Sequence, residues 1–150
     1  MNKNRLLLLS LLMISLCIKA QKTSYRILEA NSFGSSNVSI DLIVYCKKKK
    51  DIEFESKLAA VKTVLFNGIG IGIFQKPLLP EGEITTFQKH FAYMQNLYYV
   101  RLDDFIQSKL MLSEFKKGDD KKGTLFRITV NALQLRRDLE KNNIVTKIGL

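Results

Sequence analysis

The stretch "VSIDLIVYC", residues 38–46, decides the fold. Val38, Ile40, Leu42, Val44 and Cys46 fall on one face of a period-two pattern, and Ser39, Asp41, Ile43 and Tyr45 fall on the other. That alternation predicts a strand with one face buried. Immediately upstream, "NSFGSSN" (31–37) is turn chemistry rich in Ser, Gly and Asn, and "SYRILEA" (24–30) reads as a partner strand. Downstream, the charged connection "KKKKD" (47–51) leads into "FESKLAAVKTVLF" (54–66). Phe54, Leu58, Val61 and Leu65 recur there at helical spacing, with Val64 beside them. Asp51 is placed to cap this helix, Glu53 and Glu55 suit the positive end of its dipole, and Asn67-Gly68 is a stop signal.

Beyond Pro77 and Pro80 a second helix is expected from about Glu83, with Phe87, Phe91 and Met94 along one side. "LYYVRLDDFI" (97–106) fits either the end of that helix or the start of a strand. "KLMLSEF" (109–115) and "TLFRITV" (124–130) read as two strands joined by "KKGDDKKG" (116–123), a polar hairpin connection with two glycines. A last short helix follows: Asn131 and Gln134 form a capping box, Ala132, Leu135 and Leu139 face inward, and Asn142-Asn143 stops it. The expected fold class is α+β: two layers, a mostly antiparallel sheet of about four strands, and two to three helices packed on one of its faces.

The N-terminus stands apart from this pattern. "MNKNR" is a short basic segment, "LLLLSLLMISLCI" (6–18) is apolar, and Ala20 precedes Gln21. This layout predicts a secretory signal peptide over residues 1–20, cut after Ala20, and a single domain over 21–150. The apolar run is shorter than the roughly 20 residues a membrane span needs. The competing expectation is lipidation at Cys17, and Leu16 argues against it because that site takes a small preceding residue. Lys3, Arg5 and Lys19 leave with the signal, so the processed chain keeps +7 of the formal +10. Such a chain is drawn to anionic surfaces without specificity. It also keeps one cysteine, Cys46, so its fold holds by core packing without an internal disulfide.

The run "FNGIGIGIFQKPLLP" (66–80) invites comparison with a phosphate-binding loop. A dinucleotide fingerprint lies after a strand and before a helix, where free amides meet the phosphate. Gly68, Gly70 and Gly72 follow a helix instead, where carbonyls repel phosphate, and no G-x-x-x-x-G-K-[ST] motif is present. The run reads as a helix exit capped near Gly68. The better anion-binding candidates are Lys47, Lys48, Lys49 and Lys50, between a strand and a helix N-terminus. A solvated loop that keeps a strand end soluble explains the same four lysines. The hairpin lysines Lys116, Lys117, Lys121 and Lys122 are largely balanced by Asp119 and Asp120.

His90 is the only histidine, and no Cys/His cluster or H-E-x-x-H motif accompanies it, so no metal site and no cofactor are expected. Cys46 shares a strand face with four aliphatics and reads as a buried thiol. Asp103-Asp104 and Asp119-Asp120 are neighbouring acids of the solvated type, and no G-x-S-x-G is present.

The signal layout, the strand "VSIDLIVYC", the helix "KLAAVKTVLFNGI" and the end "ITVNALQLRRDLEKNNI" are similar to small uncharacterised exported proteins of Bacteroidetes-type bacteria. The resemblance is one of pattern and implies export without assigning activity, cofactor or site residues. The expected function is that of an exported, non-catalytic cell-envelope binding or assembly protein, meeting a partner protein or an acidic polymer. Location in the periplasm, on the outer surface or in the medium fits equally. The alternatives are a small exported hydrolase with a site assembled from His90, Cys46 and dispersed acids, and a basic anion- or nucleic-acid-binding module. Nucleic acid is the weaker partner, since the aromatics of "YYVR" and "FRI" fit core and sheet positions as well.

Overall fold

A computed structural model of the chain describes residues 24–70, 74–117 and 123–146. The expected signal peptide, the middle of the glycine run and the tip of the second hairpin lie outside the described residues.

The strands are β1 (Ser24–Phe33), β2 (Asn37–Tyr45), β3 (Ile106–Met111) and β4 (Thr124–Asn131). They form one 4-stranded sheet in the order β1-β2-β4-β3, every pair antiparallel. The two central strands meet residue for residue: Val38 opposite Val130, Ile40 opposite Ile128, Leu42 opposite Phe126 and Val44 opposite Thr124. All of these side chains are buried. The alternation in the sequence is thus a physical plane, closed from above by helices. Each aliphatic in that plane contributes roughly 1.5–3 kcal/mol of burial free energy.

The helices are α1 (Ile52–Lys62), α2 (Glu83–Lys89), α3 (Phe91–Tyr99) and α4 (Ala132–Lys141), with a 3-10 turn at Leu102–Phe105. α1 lies across β2 and β4 and inserts Ile52, Leu58, Ala59, Ala60 and Val61 into the core. α4 inserts Ala132, Leu135 and Leu139, and its N-cap Asn131 accepts a hydrogen bond from the Gln134 amide at 2.9 Å. The architecture is α+β: a four-stranded antiparallel sheet with four helices.

Several local expectations are corrected. β1 continues to Phe33, because Asn31, Ser32 and Phe33 pair with Ser39, Val38 and Asn37, and the turn shrinks to residues 34–36. Asp51 occupies the N-cap position of α1 but its side chain makes no capping hydrogen bond. Its backbone is already in the helical region, which turns the carboxylate away from the first-turn amides. The expected second helix is two helices broken at His90, whose backbone sits at φ −131°, ψ 42°. The break turns Phe91 outward, while Met94, Leu97 and Tyr98 enter the core. The ambiguous stretch 97–106 ends α3, makes the 3-10 turn and then starts β3 at Ile106. β3 runs from Ile106 to Met111, so Leu112 to Phe115 of the expected strand lie beyond it.

The exit of α1 is unusual. Residues Thr63–Asn67 widen into a π turn, closed by the Gly68 amide donating to the Thr63 carbonyl at 3.1 Å. The returning chain takes carbonyls of this turn: the Leu79 amide donates to Leu65 at 2.7 Å and the Leu78 amide to Val64 at 3.4 Å. Gly68 has φ 67° and ψ 174°, a conformation close to glycine-only. A Cβ there would sit 2.8 Å from the Gln75 carbonyl oxygen and 2.9 Å from Lys76 and Pro77 backbone atoms.

Gly68 therefore serves close backbone approach, whereas Gly70, also at positive φ (69°), faces open space. Gly68→Ala should lose about 3 kcal/mol or more, and Gly70→Ala about 1 kcal/mol. Urea denaturation midpoints measure both. Equal losses at the two positions would show that close approach is not what Gly68 provides.

Candidate functional site

The β2–β4 register determines which loops become neighbours. Val44 lies opposite Thr124, so the β2–α1 connection and the β3–β4 connection emerge from the same end of the sheet. Gly123 touches this end directly: a Cβ on it would meet Ile43, Val44 and Tyr45. Lys116 anchors the other arm, its amide donating to the Thr124 hydroxyl at 3.0 Å. Lys47, Lys48, Lys49 and Lys50 are all exposed, as are Lys116 and Lys117. Among the described residues none of the four loop lysines takes part in an ion pair. Among the described residues this end of the sheet is thus a basic pole.

This pole is a surface and not a cradle. The first turn of α1 carries Glu53 and Glu55, which oppose an anion at the helix N-terminus. The Lys48 carbonyl is occupied as well, accepting from the Asp51 amide at 3.2 Å and from the Cys46 thiol at 3.3 Å. What the pole presents is a set of exposed ammonium groups on long stems.

The other sequence candidates go elsewhere. Cys46 is buried, with its thiol turned to the loop backbone. His90 lines a cleft of about 280 Å³ with Leu78, Leu79, Glu81, Thr86 and Val145, and Cys46 is not part of that lining. Glu81 in this cleft binds Lys89 at 2.6 Å. Asp103 and Asp104 are split between Lys57 at 2.6 Å and Arg101 at 3.3 Å. Gly68 caps a helix exit, as the order of elements implies. Among the described residues no group of three or more His, Cys, Asp and Glu side chains could hold a metal ion, and no helix is long and apolar enough to cross a membrane.

Three polar clusters escape sequence reasoning, because each joins residues far apart in the chain. Asp138 on α4 accepts hydrogen bonds from Tyr93 at 2.7 Å and Arg101 at 2.6 Å, and Arg101 also stacks on Phe105. Burial alone would raise the Asp138 carboxyl, but the Arg101 and Tyr93 hydrogen bonds and the nearby positive charges hold it below the usual carboxylate range. Glu83 receives Lys62 at 2.7 Å and the Tyr98 hydroxyl at 3.2 Å. Burial first, then the Glu83 charge, pushes the Tyr98 phenol far up, so it stays a donor. On the open face of the sheet Arg127 grips Asp41 with two hydrogen bonds of 2.7 Å. That pair of hydrogen bonds, foremost, holds the Asp41 carboxyl below its usual range. These clusters tie elements together: α4 to α3, α2 to α1, β4 to β2.

A carboxyl depressed in the fold stabilises above its unfolded value of about 3.9, and the contribution disappears as pH falls through the folded value. Asp138→Asn should therefore lower stability at neutral pH by about 1.5–3 kcal/mol. It should also flatten the loss of stability on acidification below about pH 4. Chemical denaturation across that range checks it; an acid limb identical to the parent's would exclude the Arg101–Asp138–Tyr93 cluster as a contributor.

No protein-family model, curated protein or solved structure matches the chain, so its functional reading rests on the geometry above.

Proposed function

We propose that the protein is an exported, non-catalytic binding or assembly component of the cell envelope that meets an acidic polymer, or the acidic surface of a partner protein, through the basic pole of its sheet. The observation that carries this reading is the convergence of Lys47–Lys50 with Lys116 and Lys117 at one end of β2 and β4. The processed chain's net charge of +7 points the same way, and the N-terminal signal layout supports an envelope or extracellular destination. The carboxylates of Asp41, Glu53, Glu83, Asp103 and Asp138 are engaged by cations of the fold, which suits a scaffold whose ionic groups hold its elements together.

The test is a charge reversal of Lys47, Lys48, Lys49 and Lys50 to Glu, with binding to a sulfated polysaccharide followed between about 50 and 200 mM salt. The parent should bind with an affinity that falls steeply with salt. The variant should bind at least about tenfold more weakly at the low end, with a flatter dependence. Equal affinity and equal salt dependence in the variant would end the reading, as would turnover of a substrate by the purified protein.

A further inference from the structure

The two edges of the sheet are built differently. β1 carries Arg26, Glu29 and Asn31 and is bent by a bulge between Ile27 and Glu29, which are devices that discourage a neighbouring strand. β3 has a bulge only at its start, between Ile106 and Ser108. From Ser108 onward it is regular, and its end with the residue that follows presents three consecutive exposed apolar side chains: Leu110 at 55% and Met111 at 48% exposure on the strand, and Leu112 at 44% just beyond it. The Leu112 amide donates to the Leu125 carbonyl at 2.8 Å, so even-numbered positions turn their backbone groups toward β4. By the alternation of an antiparallel ladder, the N–H and C=O groups of Lys109 and Met111 point away from the sheet.

The charge around this edge is cancelled locally. Lys109 is the only charged residue of β3, and its ammonium is held by Glu53. Lys57 sits between Glu53 at 3.6 Å and Asp103 at 2.6 Å. Arg127, opposite Leu110 on β4, is neutralised by Asp41. An acidic partner would be drawn to the lysine pole and not to this neutral stretch. A copy of the same chain suits such neutrality, because near a two-fold axis a net charge of one copy approaches the same net charge of the other.

We propose that β3 is a self-association edge: it pairs antiparallel with β3 of a second copy, with the two-fold axis through the Leu110 pair. Directly opposed residues share a face, so the axis must pass through a residue. At Lys109 it would set ammonium against ammonium, at Ser108 it would run into the bulge, and at Met111 it would pair Lys109 with Ser113, two residues past the end of the strand, whereas Leu112 is still hydrogen-bonded to β4. At Leu110 it keeps residues 108–112 of both copies in register. Lys109 and Met111 then exchange backbone hydrogen bonds with Met111 and Lys109 of the other copy. Leu110 meets Leu110 at a non-hydrogen-bonded position, where side chains come closest, and Leu112 faces Ser108. The two sheets become one, and the exposed leucines leave water.

This inference stands on a different observation from the basic pole, and the two are separable. Sedimentation equilibrium of the protein recovered from expressing cells, up to about 1 mM, should show a concentration-dependent dimer. Leu110→Lys and Leu110→Glu should each weaken it by at least about 100-fold, since like charges would oppose each other at the axis. Mixing the two variants should restore dimer, because Lys then faces Glu. Circular dichroism and thermal midpoint should stay near the parent's, as position 110 is exposed. Leu28→Lys on the other edge and the Lys47–Lys50 reversal should leave the dimer intact. A monomer at every concentration, dimers that persist in both Leu110 variants, a mixture that stays monomeric, or dissociation by Leu28→Lys would each overturn the proposal.

Discussion

The fold depends on the residue-for-residue register of β2 and β4. Val38, Ile40, Leu42 and Val44 are buried against Val130, Ile128, Phe126 and Thr124, and the helices are laid over that plane. A slip of one residue would turn four aliphatics into water and bring Ser39, Asp41 and Ile43 into the core. The register is locked a second time on the open face, where Arg127 and Asp41 can form their paired hydrogen bonds only when residues 41 and 127 are opposite. Burial on one side and a bidentate ion pair on the other thus specify the same alignment.

The elements that the sequence made legible are those in which one local signal suffices. The period of two in residues 38–46, the Asn131–Gln134 cap and the Asn67-Gly68 stop each lie within a few residues of what they determine. The break at His90 was hidden, because neither proline nor glycine marks it and the apolar pattern runs through it. It arises from tertiary packing, which takes Met94, Leu97 and Tyr98 inward and leaves Phe91 outside.

The candidate site divides in the same way. Lys47–Lys50 stood out in the sequence as a run of like charge between a strand and a helix. That Lys116 and Lys117 join them could not be read there, since it follows from pairing Val44 with Thr124. The same holds for Asp138, whose partners Tyr93 and Arg101 come from another helix and from the turn after it. The apolar run of β3 was visible as strand sequence, but its edge position depends on the order β1-β2-β4-β3.

That strand order bears on how the chain reaches its fold. β1 and β2 form a hairpin and α1 follows at once, so the first third of the molecule can begin to fold on local contacts. The outer side of β2, however, stays unpaired until β4 arrives, and the Asp41–Arg127 bridge closes a separation of 86 residues. Loop-closure entropy must be met before that contact contributes any stability, which makes the β2–β4 docking the slow event. Until then the most apolar strand of the protein is a bare edge. Any chain in which residues 124–131 have not yet docked leaves this edge open, and is then at its most prone to take up a foreign strand.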